Sequence, residues 1–205
     1  MDLKIWIMLA VIVLTLAVSY YFSNRGKANG EKLADMLAKG DFESFDRCVE
    51  DKSFTRQIAP FTLDYLKLNS YLLRSDKKKS EAAFEKLKTV SLNRSQRQEL
   101  SLKGFAYYLA SGDKKNTKYY LDQMEESLVD EDILKSSRMY YDIVYEKKTD
   151  MLEELLEQTK DLEGEERAGN EQLIAIIYKN LGDEKKAREY EKRSRIDLGI
   201  EGEKK

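Results

Sequence analysis

Apolar residues recur three and four positions apart along the chain from about residue 23 onward. This spacing follows the 3.6-residue turn of an α-helix, so the apolar side chains share one face and the polar ones face solvent. It differs from the strict alternation that a half-buried strand requires. The pattern therefore predicts an all-α fold built from amphipathic helices.

Short turn signals separate pairs of these amphipathic segments, at intervals of about 35 residues. In each signal a small or turn-tolerant residue is expected to end one helix in the left-handed conformation, and an acidic residue is expected to cap the next. The interval predicts about five helical hairpins, each with a helix A, a turn and a helix B. The signals are Gly40 with Asp41, Ser75 with Asp76, Gly112 with Asp113, Lys148 with Thr149 and Asp150, and Gly182 with Asp183.

The helices are placed between these turns by the extent of the apolar pattern. Pro60 is expected in the first turn of its helix, where a missing N–H costs no hydrogen bond. The predicted pairs are 29–39 with 42–51, 61–74 with 77–90, 95–111 with 114–127, 131–147 with 149–162, and 166–181 with 184–196.

The last hairpin has Ala175 and Tyr178 in helix A, Gly182 and Asp183 in the turn, and Ala187 and Tyr190 in helix B, and this pattern resembles a tetratricopeptide repeat. It has a small residue and a tyrosine in helix A, a Gly-Asp turn, and an alanine followed by an aromatic residue in helix B. The alanine suits a place where two helices cross closely. The matching residues are Ala175, Tyr178, Gly182, Asp183, Ala187 and Tyr190.

Two other hairpins share part of this pattern. In the hairpin at Gly112, the pattern is matched by Gly104 and Tyr107 in helix A and by Tyr119 and Tyr120 in helix B, with Thr117 in place of alanine. The hairpin at Ser75 has Tyr71, Ala83 and Phe84, with Leu68 and Ser80 in place of small residues. The resemblance covers about residues 29–196 and implies a right-handed superhelix that holds a protein or peptide partner.

Residues 5–22 form an apolar run without a charged side chain. As a helix they would cover about 27 Å of a hydrocarbon core about 30 Å thick. Trp6 near one end and Tyr20 and Tyr21 near the other suit the two headgroup regions. We therefore expect a transmembrane anchor over 1–22, a linker over 23–30, a repeat domain over 31–196 and a flexible tail over 197–205. The alternative is a signal peptide cleaved after Ser19.

The orientation of this anchor follows from the positive side chains on its flanks. Lys4 precedes the run, whereas Arg25, Lys27 and Lys32 follow it. Positive residues favour the cytoplasmic side, so the larger part of the chain is expected in the cytoplasm of a single-pass membrane protein. A single cysteine, Cys48, forms no intramolecular disulfide and agrees with a reducing compartment.

Composition narrows the function classes. The chain has 36 Lys and Arg against 38 Asp and Glu, so no basic excess is available to neutralise phosphates. It has no histidine, which excludes histidine-dependent catalytic triads and the commonest metal ligand. We therefore expect a binding protein and no enzyme, with no cofactor, no bound metal and no nucleic-acid partner.

Clustered tyrosines and charges also have structural interpretations. Each of the pairs Tyr107–Tyr108, Tyr119–Tyr120 and Tyr140–Tyr141 is expected to bury one ring and leave the other at the rim. Acidic runs at 130–132 and 163–166 are expected to start helices. Lysines at 77–79 and 114–115 are expected to form a solvated face, with a basic ridge toward lipid as the alternative.

We expect a scaffold or adaptor whose A helices bind a protein or peptide partner at the membrane. The alternatives are a structural subunit of a membrane complex and a secreted or envelope-exposed binding module. The residues expected to contact the partner project from the A helices. They are Tyr65, Asn69, Tyr108, Tyr140, Gln172, Ile176 and Lys179.

Overall fold

The computed structural model describes residues 26–199. Every regular element among these residues is helical, which confirms the all-α prediction. The apolar run at 5–22 and the tail beyond residue 199 lie outside the described residues. Within the described part, no helix is both long enough and apolar enough to cross a membrane.

The chain divides into two compact units, the first ending at Leu92 and the second beginning at Asn93. The first unit packs its helices around Leu33, Phe45 and Leu66. Its helices are α1 (26–38), α2 (Phe42–Glu50), α3 (Lys52–Thr55), α4 (Pro60–Leu73) and α5 (Lys77–Lys88).

The second unit has a core around Ile143, Leu155 and Ile174. A short 3-10 helix, Thr159–Asp161, follows its α9 helix. Its α-helices are α6 (Arg94–Ser111), α7 (Lys114–Glu126), α8 (Glu131–Tyr145), α9 (Leu152–Gln158), α10 (Gly164–Asn180) and α11 (Glu184–Asp197).

Helices are present at all five predicted pairs, and α4 packs with α5, α6 with α7, and α10 with α11 as hairpins. The fourth pair differs, because α8 and α9 both pack against α10. The sequence did not predict α3, which Asp51 caps by accepting hydrogen bonds from the N–H groups of Ser53 and Phe54. The largest difference is at α9, which is shorter than expected because the chain turns into the 3-10 helix.

Four turns share one geometry. The residue after helix A has positive φ at Gly40, Ser75, Gly112 and Gly182, as predicted. The following aspartate caps helix B through its side chain, for example Asp183, which accepts from the N–H of Lys186. The fourth turn differs, because Lys147 instead of Lys148 has positive φ, and Met151 precedes α9 without a side-chain cap.

Residues 26–30, expected in the linker, are helical and belong to α1. Gly26 and Gly30 are buried where α1 meets the segment before α4. A Cβ on Gly26 would lie 2.1 Å from the carbonyl oxygen of Gln57, so this close approach requires glycine. Gly26, which the sequence placed in the linker, instead allows the backbone of α1 to pack against that of the segment before α4.

Candidate partner-binding surface

The residues that carry the repeat resemblance meet inside the last hairpin. Ala175 on α10 and Ala187 on α11 are buried. Ser194 on α11 also donates a hydrogen bond to the carbonyl of Ala168 on α10 at 2.9 Å, which holds the two helices together. Tyr178 and Tyr190 stack with ring centroids 5.6 Å apart. The small residues allow the helices to approach, and the two rings cover the contact.

The hairpin of α6 and α7 has an equivalent stack, formed by Tyr108 and Tyr120. Tyr108 lies five residues before the capping Asp113, as Tyr178 lies five residues before Asp183. The assignment of Tyr107 to the packed position is therefore corrected by one residue. Thr117 is fully buried where the last hairpin has alanine, and its hydroxyl donates to the carbonyl of Asp113 at 2.7 Å.

In each tyrosine pair the structure buries one ring, as predicted. The buried members are Tyr108, Tyr120 and Tyr141, while their neighbours are partly exposed. Adjacent residues on a helix lie about 100° apart, so one ring points inward and the other reaches the rim.

Two residues expected to project toward a partner are buried instead. Tyr108 is 2% exposed and Tyr65 is 9% exposed. Tyr65 stacks with Phe61 one turn earlier on α4, with ring centroids 5.4 Å apart. Both side chains stabilise helix packing in this structure and offer almost no surface for a partner.

Three other residues that were expected to contact a partner differ from one another in exposure and in their neighbours. Asn69 is half-buried, and its Oδ1 has no hydrogen-bond partner among the described residues. Gln172 is exposed on α10. Lys179 forms an ion pair with Glu191 on α11, so it is directed toward the helix B of its own hairpin.

Tyr140 and Ile176 are brought together by the structure. Both are partly buried against the apolar cluster of the second unit. The Tyr140 hydroxyl lies beside Gly169 on α10, where a Cβ would be 3.5 Å away. Burial raises the pKa of the Tyr140 hydroxyl above its usual range, so it is a neutral donor at physiological pH.

An apolar groove of about 460 Å³ lies between α6 and α8, two A helices of the second unit. Ile133 is 44% exposed at this groove. Of the residues expected to bind a partner, only Tyr140 lines it. The remaining lining residues were not expected; they are Phe105, Ala106, Leu109, Asp132, Ile133, Ser136 and Ser137.

Acidic side chains border the groove at the start of α8. Asp130 caps the helix through the N–H groups of Asp132 and Ile133. Asp132 lines the groove, is exposed and forms no ion pair with a described residue. The groove therefore combines apolar walls with one uncompensated carboxylate, that of Asp132. An exposed isoleucine directly after the capping acids was the signal in the sequence for this surface.

A second cavity, of about 610 Å³, lies among α9, α10 and α11. Glu171 lines it with no exposed surface; its Oε1 accepts from Arg167 at 3.4 Å, and Oε2 has no hydrogen-bond partner among the described residues. Arg167 also pairs with Asp197 at 3.1 Å. Burial raises the pKa of Glu171, the charge of Asp197 adds to this effect, and Arg167 opposes it.

Within residues 26–199, no three acidic or cysteine side chains are grouped so as to hold a metal ion.

Comparison of the chain with protein-family models, with curated proteins and with solved structures found no match.

Proposed function

We propose that this protein is a membrane-anchored scaffold with tetratricopeptide-like hairpins that binds a protein or peptide partner on its A helices. The hairpin geometry supports this function: small residues at the helix crossing, a tyrosine stack and a Gly-Asp turn recur in α6 with α7 and in α10 with α11. Repeats of this kind stack into a right-handed superhelix that presents an extended surface.

The groove between α6 and α8 is the observation that carries the proposal. Its apolar walls leave Ile133 exposed. Covering this side chain with a partner removes apolar surface from water and so favours binding. Asp132 in its lining favours a partner with Lys or Arg beside the inserted apolar residue. The partner is therefore a protein segment in which apolar and basic residues alternate along one face.

Site-specific photo-crosslinking in cells tests this binding surface. A photoreactive amino acid at Ile133 is expected to capture a defined protein, whereas the same group at Leu181 captures none. Leu181 is the matched control because it is also exposed, at 53%, and lies outside the groove. Equal crosslinking at both positions would contradict a partner site in the groove.

A pair of variants then tests the role of the groove in binding the captured partner. Ile133→Asp adds a charge to the apolar walls and is expected to weaken binding at least about tenfold, since it removes an apolar contact. Leu181→Asp is expected to leave affinity unchanged. Circular dichroism of both variants separates lost binding from lost folding.

The anchor and its orientation are tested by protease digestion of intact and lysed cells. Protection until lysis, with the residues before Ser19 retained, supports a cytoplasmic scaffold on a single-pass anchor. A mature chain that begins at Tyr20 would instead indicate the secreted or envelope-exposed alternative. A partner that copurifies at fixed stoichiometry from detergent would favour the structural-subunit alternative.

A further inference from the structure

The outer face of α11 carries a row of four cations. Lys185, Arg188, Lys192 and Arg195 are spaced three, four and three residues apart and are all exposed. At 100° per residue this spacing places them within about 80° of one another around the helix axis. We call these four side chains the α11 basic row.

The α11 basic row faces away from the core. The buried residues of α11 are Ala187 and Ser194, and Tyr190 packs against Tyr178 on the same inner side. The cations therefore lie on the opposite side of the helix, where neighbouring helices do not cover them. Ile196 follows Lys192 by one turn and is 53% exposed beside the row.

None of these four cations forms an ion pair with a described residue. The adjacent Lys186 and Arg193 do form such pairs, with Asp183 and Glu189 respectively. Glu189 on α11 therefore pairs with a flanking arginine and not with the outer row. Glu184, one turn before Arg188, is exposed and forms no ion pair with a described residue, so the four cations outnumber the carboxylate beside them.

The lysines that the sequence indicated as a basic ridge are largely compensated. Lys77 pairs with Glu81, and Lys79 pairs with Asp76. Lys114 pairs with Glu146 at 3.0 Å. Lys78 and Lys115 are exposed without an ion pair to a described residue, but each is a single uncompensated cation on its helix. The row of several uncompensated cations lies on α11.

We infer that the α11 basic row binds the anionic headgroups of a lipid bilayer. A straight row of Lys and Arg with one exposed isoleucine beside it fits a flat surface that offers phosphates above an apolar layer. A nucleic acid is disfavoured by the net charge of −2 and by the absence of aromatic side chains from the row. The inference rests on the proposed anchor, which keeps the chain near a membrane.

The binding is measured with the full chain reconstituted in vesicles. A polarity-sensitive fluorophore is attached to Ile196→Cys in a Cys48→Ser background. Vesicles of phosphatidylcholine alone are compared with vesicles containing 30% phosphatidylglycerol, both with a headgroup-attached quencher. We expect quenching only with the anionic lipid, and its loss in 0.5 M salt.

Charge reversal identifies the side chains responsible. Lys192→Glu with Arg195→Glu is expected to abolish the quenching that depends on anionic lipid, because each cation near an anionic surface strengthens binding by about fivefold. Lys115→Glu with Lys135→Glu is the matched control, since both lysines are exposed and form no ion pair with a described residue. Equal quenching in both lipids, or loss in the control alone, would overturn the inference.

Flotation separates this result from failure of the anchor. If the proposed anchor does not insert, the chain is not expected to float with phosphatidylcholine vesicles. The α11 basic row is still expected to bring it to anionic vesicles. Flotation with both lipids and no change on reversal of Lys192 and Arg195 would retain the anchor and reject the basic row.

Discussion

Tyr108 on α6 and Tyr120 on α7 stack with ring centroids 5.7 Å apart and an interplanar angle of 13°. The Tyr120 ring lies directly over Gly104, where a Cβ would come within 2.6 Å of three ring carbons. The stack therefore depends on glycine one turn before Tyr108. Two helices approach closely here because the side chain of one is absent and a ring of the other fills the space.

Replacement of Gly104 tests this close contact. Gly104→Ala is expected to lower the free energy of unfolding by about 1–3 kcal/mol, since the buried Tyr120 ring must shift. Gly169→Ala is the matched control on α10, where the added methyl meets only the Tyr140 hydroxyl at 3.5 Å. Alanine is the better helix former, so the control is expected to stabilise by up to about 1 kcal/mol. Urea denaturation measures both changes; equal effects would contradict the contact.

The pH dependence of stability is expected to report on Glu171. Its pKa is raised by burial and by the nearby Asp197 charge, so the folded state disfavours its ionised form. Its stabilising contribution is complete below the unfolded pKa, near 4.5, and falls as the pH rises through the folded pKa. Glu171→Gln removes the titration while keeping the shape of the side chain.

Denaturation of the Glu171→Gln variant from pH 4 to 8 checks this expectation. The stability of the original chain relative to the variant is expected to decline with increasing pH. Glu166→Gln, an exposed change on the same helix, serves as the control. A constant difference between the original chain and the Glu171→Gln variant would show that Glu171 does not take up a proton on folding.

The salt bridge between Arg74 and Asp46 is expected to have the opposite dependence on pH. Two guanidinium nitrogens of Arg74 donate to the Asp46 carboxylate at 2.7 and 2.8 Å. These hydrogen bonds hold the pKa of Asp46 below its usual range, so its contribution is present above the unfolded pKa and lost as the pH falls. Asp46→Asn is expected to cost about 0.5 kcal/mol at pH 7, because both side chains are partly exposed. Glu43→Gln on the same helix is the control.

Exchange of the residues with positive φ tests the helix ends. Gly182 has a φ of 79°, and Ser75 has a φ of 54° in the equivalent turn. Gly182→Ser is expected to destabilise by about 1 kcal/mol, since a Cβ is disfavoured in the left-handed conformation, and Ser75→Gly is expected to stabilise by a similar or smaller amount. Thermal denaturation measures both shifts; a stabilising Gly182→Ser would contradict the assignment of the turn.

Local chemistry made the helices and most of their turns predictable. The turn residues Gly40, Gly112 and Gly182 suit positive φ, and the aspartate after each one caps the next helix through its own side chain. These interactions are made within a few residues, so their signals are contiguous in the sequence. The one turn without a Gly-Asp or Ser-Asp signal was misplaced by a residue, at Lys147.

The candidate surface was predictable only in part, because it depends on contacts between helices far apart in sequence. Tyr107 and Tyr108 are equally apolar, and only the position of α7 decides which ring is buried. Ile133 directly follows the capping acids, but this local signal does not show that α6 lies beside α8, so its groove was overlooked.

The sequence by itself determined the all-α class, the helices of the five predicted pairs, the geometry of four turns and the order of apolar and polar faces. Each follows from interactions within one or two helical turns. Tertiary structure decided which tyrosines are buried, that the Glu171 carboxyl group is removed from solvent, and which cations on α11 remain uncompensated. Burial and charge pairing depend on neighbours supplied by other helices, so only the folded chain fixes them.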